Sequence, residues 1–187
     1  RYFDEPDVGA ALVTLVQQGA PSQWIDPLLY FFSAQNDRVL RDAVIQVLYP
    51  RHQNGTQELP IDVVTHAIRN WVAQGKTTTD WSDSTVKRVA QGVMATLRDF
   101  GVLEGRVHKR LTPVYVPTPS FALLALWLQQ RERSGQLVLQ SDEWRLFFLP
   151  VEGVERFFIE AHQQHLLAYY AAGSVIRIEF PVETLKE

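Results

Sequence analysis

Apolar positions along the first 75 residues recur at helical spacing. In PDVGAALVTLVQQG, Val8, Ala11, Leu12 and Leu15 lie three and four apart, and Gly19 stands where a helix stop belongs. SQWIDPLLYFFSAQ follows, with Ser22 a candidate cap and Pro27 expected to divide this helix or open a new one. Asn36 or Asp37 can cap the next helix, in which Val39, Leu40, Ala43, Val44, Val47 and Leu48 form one stripe that stops at Pro50. RHQNGTQE reads as a polar loop with an Asn-Gly turn. Pro60 suits the first turn of a helix through Val72, with Ile61, Val64, Ala67, Ile68 and Trp71 inward. QGKTTTD is a loop.

The stretch WSDSTVKRVAQGVMATLRDFGVLEG, residues 81–105, changes the pattern. Ser82 or Ser84 caps a helix whose Val86, Val89, Ala90, Val93, Leu97 and Phe100 mark one buried face, and Gly101 suits a left-handed stop. VLEG and RLTPVYV then read as two short strands around the basic tip GRVHKR, residues 105–110, with Pro113 placing the second strand at an edge or ending it early. PSFALLALWLQQRERSG predicts an amphipathic helix with a charged end, SDEWRLFFLP a short helix or extended piece, and VEGVERFFIEAHQQ another helix. LLAYYAAG and SVIRIEF predict a terminal hairpin turning at Ala172-Gly173-Ser174, with Ile176 and Ile178 alternating against Arg177 and Glu179. The expected fold is mainly α: a helical N-terminal bundle over 1–75, a central winged helix-turn-helix over 76–135, and a small α/β C-terminal part over 136–187 that ends in a β-hairpin.

Composition supports an ordinary globular core, since 46 % of the 187 residues are apolar and 21 % charged. With no cysteine, disulfides, thiolate zinc sites and cysteine nucleophiles are excluded, and a reducing cytoplasm is the expected location. FALLALWL, residues 121–128, is far shorter than the roughly 20 residues that span a bilayer, so no membrane association is expected. No signal peptide is visible, and a chain opening on Arg1 rather than Met is expected to lack its true N-terminus.

Charge singles out the stretch at 81–105 and the tip after it. Net charge is −3, yet residues 84–112 hold Lys87, Arg88, Arg98, Arg106, Lys109 and Arg110 against Asp99 and Glu104, a local +4. A helix fits the major groove of DNA with its N-terminal residues at the base edges, and a flanking hairpin offers cations to phosphates. Ser84, Thr85, Lys87, Arg88 and Gln91 lie off the apolar stripe and are the candidate groove contacts. Arg106, His108, Lys109 and Arg110 would form the wing. The loop from Gln74 to Asp83 is longer than the turn of a simple helix-turn-helix.

The run W81-S82-x-x-T85-x-x-R88-V89-A90-x-G92-V93, followed by L97-R98-D99-F100-G101-V102-L103-E104-G105, resembles the hallmark segment of the BrxA family, small helical accessory proteins of BREX phage-defence systems. The helical N-terminal half with VLRDAV at residues 39–44 and the PSFALLAL helix after the wing extend the likeness over most of residues 25–180. The resemblance implies a cytoplasmic, mostly helical protein without catalytic activity. It would bind double-stranded DNA and support a larger machine, with other proteins of the same system as partners. It assigns no further residue.

No other chemistry stands out. His162 and His165, with Glu155 and Glu160 nearby, are at metal-ligand spacing on a helix, but no HExxH pattern is present and a solvated polar face is the reading preferred. G-x-S-x-G, Walker and G-x-G-x-x-G motifs are absent, so no enzyme, metal or cofactor is expected. Tyr169 and Tyr170 point to opposite faces of a strand, which leaves one to line a partner surface. Two alternatives to DNA binding by an accessory protein remain open: a protein-interaction scaffold that never touches DNA, and a winged-helix transcription regulator with a defined operator.

Overall fold

The structure, a computed structural model, describes residues 6–132, 134–173 and 175–182. In chain order its elements are α1 (Pro6–Gln17), α2 (Ser22–Asn36), α3 (Arg38–Asp42), a π-helical segment (Ala43–Leu48), α4 (Tyr49–Gln53), α5 (Ile61–Ala73) and α6 (Asp83–Asp99). There follow β1 (Leu103–Glu104), β2 (Arg110–Leu111), α7 (Thr118–Gln129), α8 (Gly135–Leu139), a 3₁₀ helix (Asp142–Phe147), α9 (Val151–Gln163), β3 (Ala168–Ala172) and β4 (Val175–Glu179). The protein is mainly α, with two small antiparallel hairpins, β1–β2 and β3–β4. The turn expected at Ala172-Gly173-Ser174 has Gly173 at φ +61°, while Ser174 lies outside the described residues.

The chain forms two compact units, residues 1–36 with 115–187 and residues 37–114. This grouping does not follow the linear division at 75 and 135: it joins the first two helices to the C-terminal part.

In the first unit, α2 runs unbroken through Pro27, where a division was expected. The missing N–H forfeits one bond near the start of the helix, and burial of Leu28, Tyr30 and Phe31 on the following turn holds the helix together. The core is aromatic. Phe121 stacks on Trp144 at 4.5 Å between ring centres and meets Phe158 edge-on at 4.9 Å, while Phe31 meets Trp127 edge-on at 5.3 Å. The polar ends of buried aromatics find partners: the Tyr30 hydroxyl donates to the Leu146 carbonyl at 3.1 Å and Trp144 Nε1 to the Val138 carbonyl at 2.7 Å. α7, expected to be amphipathic, is buried nearly all round, from Phe121 and Ala122 to Trp127 and Leu128, because α2, α8 and α9 surround it. On the last hairpin Tyr169 is buried and Tyr170 is 53 % exposed, as alternation requires. Burial, then the neighbouring Glu155 carboxylate, pushes the Tyr169 hydroxyl up to about 12, so it stays a donor to Glu155 at 3.0 Å.

In the second unit, Asp37 caps α3 by accepting from the Leu40 N–H at 3.0 Å. The helix does not stop at Pro50 but continues to Gln53. The turn before the proline is π-helical, with the Tyr49 N–H bonded to the Val44 carbonyl five residues back. That wider turn moves the preceding carbonyls away from the place where an α-turn would set one against the proline ring. Asn54-Gly55 then ends the helix: Gly55 has φ +73° and the Thr56 N–H returns to the Arg51 carbonyl. α5 buries Val64, Thr65, Ile68 and Trp71; Ile61, expected inward, is 38 % exposed in its first turn. α6 packs on α5 through Val86, Ala90, Val93, Met94 and Leu97.

Candidate nucleic-acid interface

α6 owes its start to Ser82, whose hydroxyl accepts from the Thr85 N–H at 3.3 Å, and its end to Gly101 at φ +75°. The Ser82 hydroxyl also meets the Ser84 hydroxyl at 2.9 Å and the Thr85 hydroxyl at 3.0 Å. Two guanidinium nitrogens of Arg69 on α5 donate to one Asp83 carboxylate oxygen at 3.1 and 2.9 Å, which ties the first turn of α6 to its neighbour. Both partners are exposed, at 47 % and 77 %, so this contact orients the helix more than it stabilises it.

With the opposite face buried, Ser84, Lys87, Arg88 and Gln91 stand exposed at positions i, i+3, i+4 and i+7 of one face. Thr85 is half-buried beside them. Lys87, Arg88 and Gln91 make no side-chain hydrogen bond or ion pair with any described residue. Residues 37–114 carry eleven Lys and Arg against eight Asp and Glu, so this unit is positive in a chain whose total is −3.

The hairpin beside α6 pairs Leu103 with Leu111 and Glu104 with Arg110. β2 ends at Leu111, before Pro113, and its open edge carries one further isolated bridge, between Glu58 and Arg110. There the Leu59 N–H donates to the Lys109 carbonyl at 2.9 Å and the Leu111 N–H to the Gln57 carbonyl at 2.8 Å. This bridge was invisible in the sequence, where Gln57 and Glu58 end the polar loop RHQNGTQE. Two of the four residues expected to form a wing are engaged inside the unit. Lys109 Nζ donates to the Gly105 carbonyl at 2.7 Å, and Arg110, in the strand and not at the tip, donates to Gln57 Oε1 at 2.8 Å. Arg106 and His108 are exposed at the tip, and neither bonds to a described residue through its side chain.

Between the hairpin tip, the N-terminal turn of α5 and the middle of α6 lies a groove of about 470 Å³. Pro60, Ile61 and Met94 give it an apolar floor, Gln91, Arg98, His108 and Lys109 line it with polar groups, and Val107, 82 % exposed, stands at its rim. Arg98 is held by Asp99 at 2.9 Å. The only sign of this groove in the sequence was Val107, an apolar residue inside a basic tip.

The tip depends on Gly105. Its φ is +87°, and a Cβ there would lie 2.1 Å from the His108 carbonyl oxygen. Gly105→Ala is therefore expected to cost about 1–3 kcal/mol, measured as a lower urea midpoint. Gly92→Ala is the control, since its Cβ meets nothing within 4 Å on an exposed helical turn, and it should be neutral or stabilising by up to about 1 kcal/mol. Equal midpoints for the two variants would mean that the tip does not have this geometry.

Of the histidines weighed as metal ligands, His162 accepts from the Tyr169 N–H through Nδ1 at 3.3 Å, and the exposed His165 sits in the left-handed turn after α9 at φ +58°. No group of three metal-ligating side chains occurs among the described residues. Among the same residues no helix is long and apolar enough to cross a membrane.

No curated protein and no solved structure matches the chain. The BrxA family model matches residues 8–126, from α1 through most of α7 and across the whole of the positive unit. With well over half of its length so matched, the chain belongs to the BrxA family, proteins of BREX phage-defence systems.

Proposed function

We propose that residues 37–114 form a winged helix that binds double-stranded DNA, mainly through its backbone, and that the protein serves a cytoplasmic BREX assembly in this way without catalysing a reaction. The observation that carries this reading is the exposed face Ser84, Lys87, Arg88 and Gln91 on a capped helix whose other face is buried, beside a hairpin that presents Arg106 and His108. Helix N-termini and cations meet phosphates, and an exposed helix face of this width enters a major groove. Within the wing, Arg106 is the leading cationic contact to the duplex. Lys109 and Arg110 add positive potential around it, because their own donors already serve the hairpin.

The test is fluorescence anisotropy of a random-sequence duplex across a salt series. Micromolar binding is expected, weakening with a log–log slope of about −0.9 for each phosphate neutralised. No binding at low salt would sink the reading.

A second reading, a scaffold subunit for other BREX proteins, draws on the other unit. There Val13 and Val16 on α1 are 55 % and 59 % exposed, and Tyr170 and Val175 on the last hairpin are 53 % and 67 % exposed. A co-purifying BREX partner bound equally well after charge reversal on α6 would favour it.

A further inference from the structure

We propose that the tip of the β1–β2 hairpin enters the minor groove, with Arg106 directed at the base-edge acceptors and Val107 acting as an apolar wedge against the bases. This rests on the DNA reading above and adds a mode of recognition to it. Val107 is 82 % exposed, the highest value among the large apolar side chains described. Local structure does not call for valine there. Turns favour Gly, Asn, Asp, Pro and Ser, and a β-branched apolar residue is a poor choice for one. The tip is anchored without it: Gly105 takes the left-handed conformation, Lys109 Nζ holds the Gly105 carbonyl, and the Lys109 carbonyl accepts from Leu59. The isopropyl group therefore stands largely in solvent at an anchored turn, flanked by Arg106 and His108.

Groove dimensions decide what such a tip can do. Paired strands lie about 4.8 Å apart before side chains are added, and the minor groove is about 6 Å wide. The body of the hairpin cannot enter, but one or two tip side chains can. Arginine is drawn to the minor groove where A·T pairs narrow it and deepen the negative potential. Apolar side chains at such tips unstack flexible pyrimidine–purine steps and kink the duplex. A tip that only met phosphates would gain nothing from an exposed valine.

The experiment uses the full chain and two labelled duplexes of equal length, one A·T-rich with TA steps and one G·C-rich, with netropsin as a minor-groove competitor. The wild type is expected to bind the A·T-rich duplex about tenfold more tightly and to be displaced by netropsin. Val107→Ala should shrink that preference at an unchanged salt slope, and Arg106→Lys should keep the slope while losing the preference. Both side chains stand in solvent, so the variants fold. Salt-dependent binding that is equal on both duplexes and insensitive to netropsin would overturn the wedge while leaving the DNA reading standing. Absence of binding to either duplex at low salt would overturn both.

Discussion

Replacing Lys87 and Arg88 together by glutamate is expected to weaken duplex binding by roughly a hundredfold or more and to lower the salt slope by about 2. Each lost phosphate contact removes about 1 from that slope, and each lost base contact costs about 1–3 kcal/mol. Both side chains are exposed on α6, between one and two turns from its cap, and neither bonds to a described residue. The exchange thus removes no internal contact, and the unfolding midpoint should stay within the range of a surface change, about 0.5 kcal/mol. Anisotropy on the same duplex, with a denaturation curve for each protein, checks both statements. Affinity and slope equal to the wild type's would show that this face does not meet DNA. Reversing Lys109 and Arg110 is the less clean experiment, since it breaks the bonds to Gly105 and Gln57 that shape the hairpin.

Phe121→Ala is expected to cost about 3–5 kcal/mol, a large share of the 5–15 kcal/mol that holds a typical domain together. The side chain is fully buried on α7, and its ring touches Trp144, Phe157 and Phe158. Removing it leaves a cavity that these large planar neighbours cannot fill by small shifts. Urea unfolding followed by tryptophan fluorescence reads the loss, because Trp144 lies against the deleted ring. A cost under 1 kcal/mol would mean that the aromatic cluster is not the core of this unit. Where the variant remains folded, its duplex affinity should match the wild type's, since the proposed face lies wholly within 37–114.

Local signals were legible wherever they act within a turn or two of the chain. A cap at Ser82 or Ser84, a cap at Asn36 or Asp37, Gly101 as stop and the two-stranded hairpin after it all come from short-range geometry, and the structure has Ser82, Asp37, Gly101 and the hairpin. So is the exposed row Ser84, Lys87, Arg88 and Gln91, because a buried stripe implies an opposite face. The BrxA resemblance, carried by the same stretch, is borne out by the family match over residues 8–126.

What residues far apart in the chain decide was not legible. Two prolines that should break helices do not. At Pro27 burial outweighs one lost hydrogen bond, and at Pro50 a π-turn makes room for the ring. The amphipathic pattern of PSFALLALWL overlooked three neighbouring helices that cover its far side. Lys109 and Arg110 looked like free cations until the hairpin and the bridged segment 57–59 supplied their acceptors. By itself the sequence determined most of the helices, the two hairpins and the family, since these follow from spacing within about a dozen residues. Only the tertiary structure decided which cations face outward, that Val107 stands clear at the tip, and that the first 36 residues belong with the last 73. Those outcomes turn on contacts between segments tens of residues apart, whose energies no local pattern records.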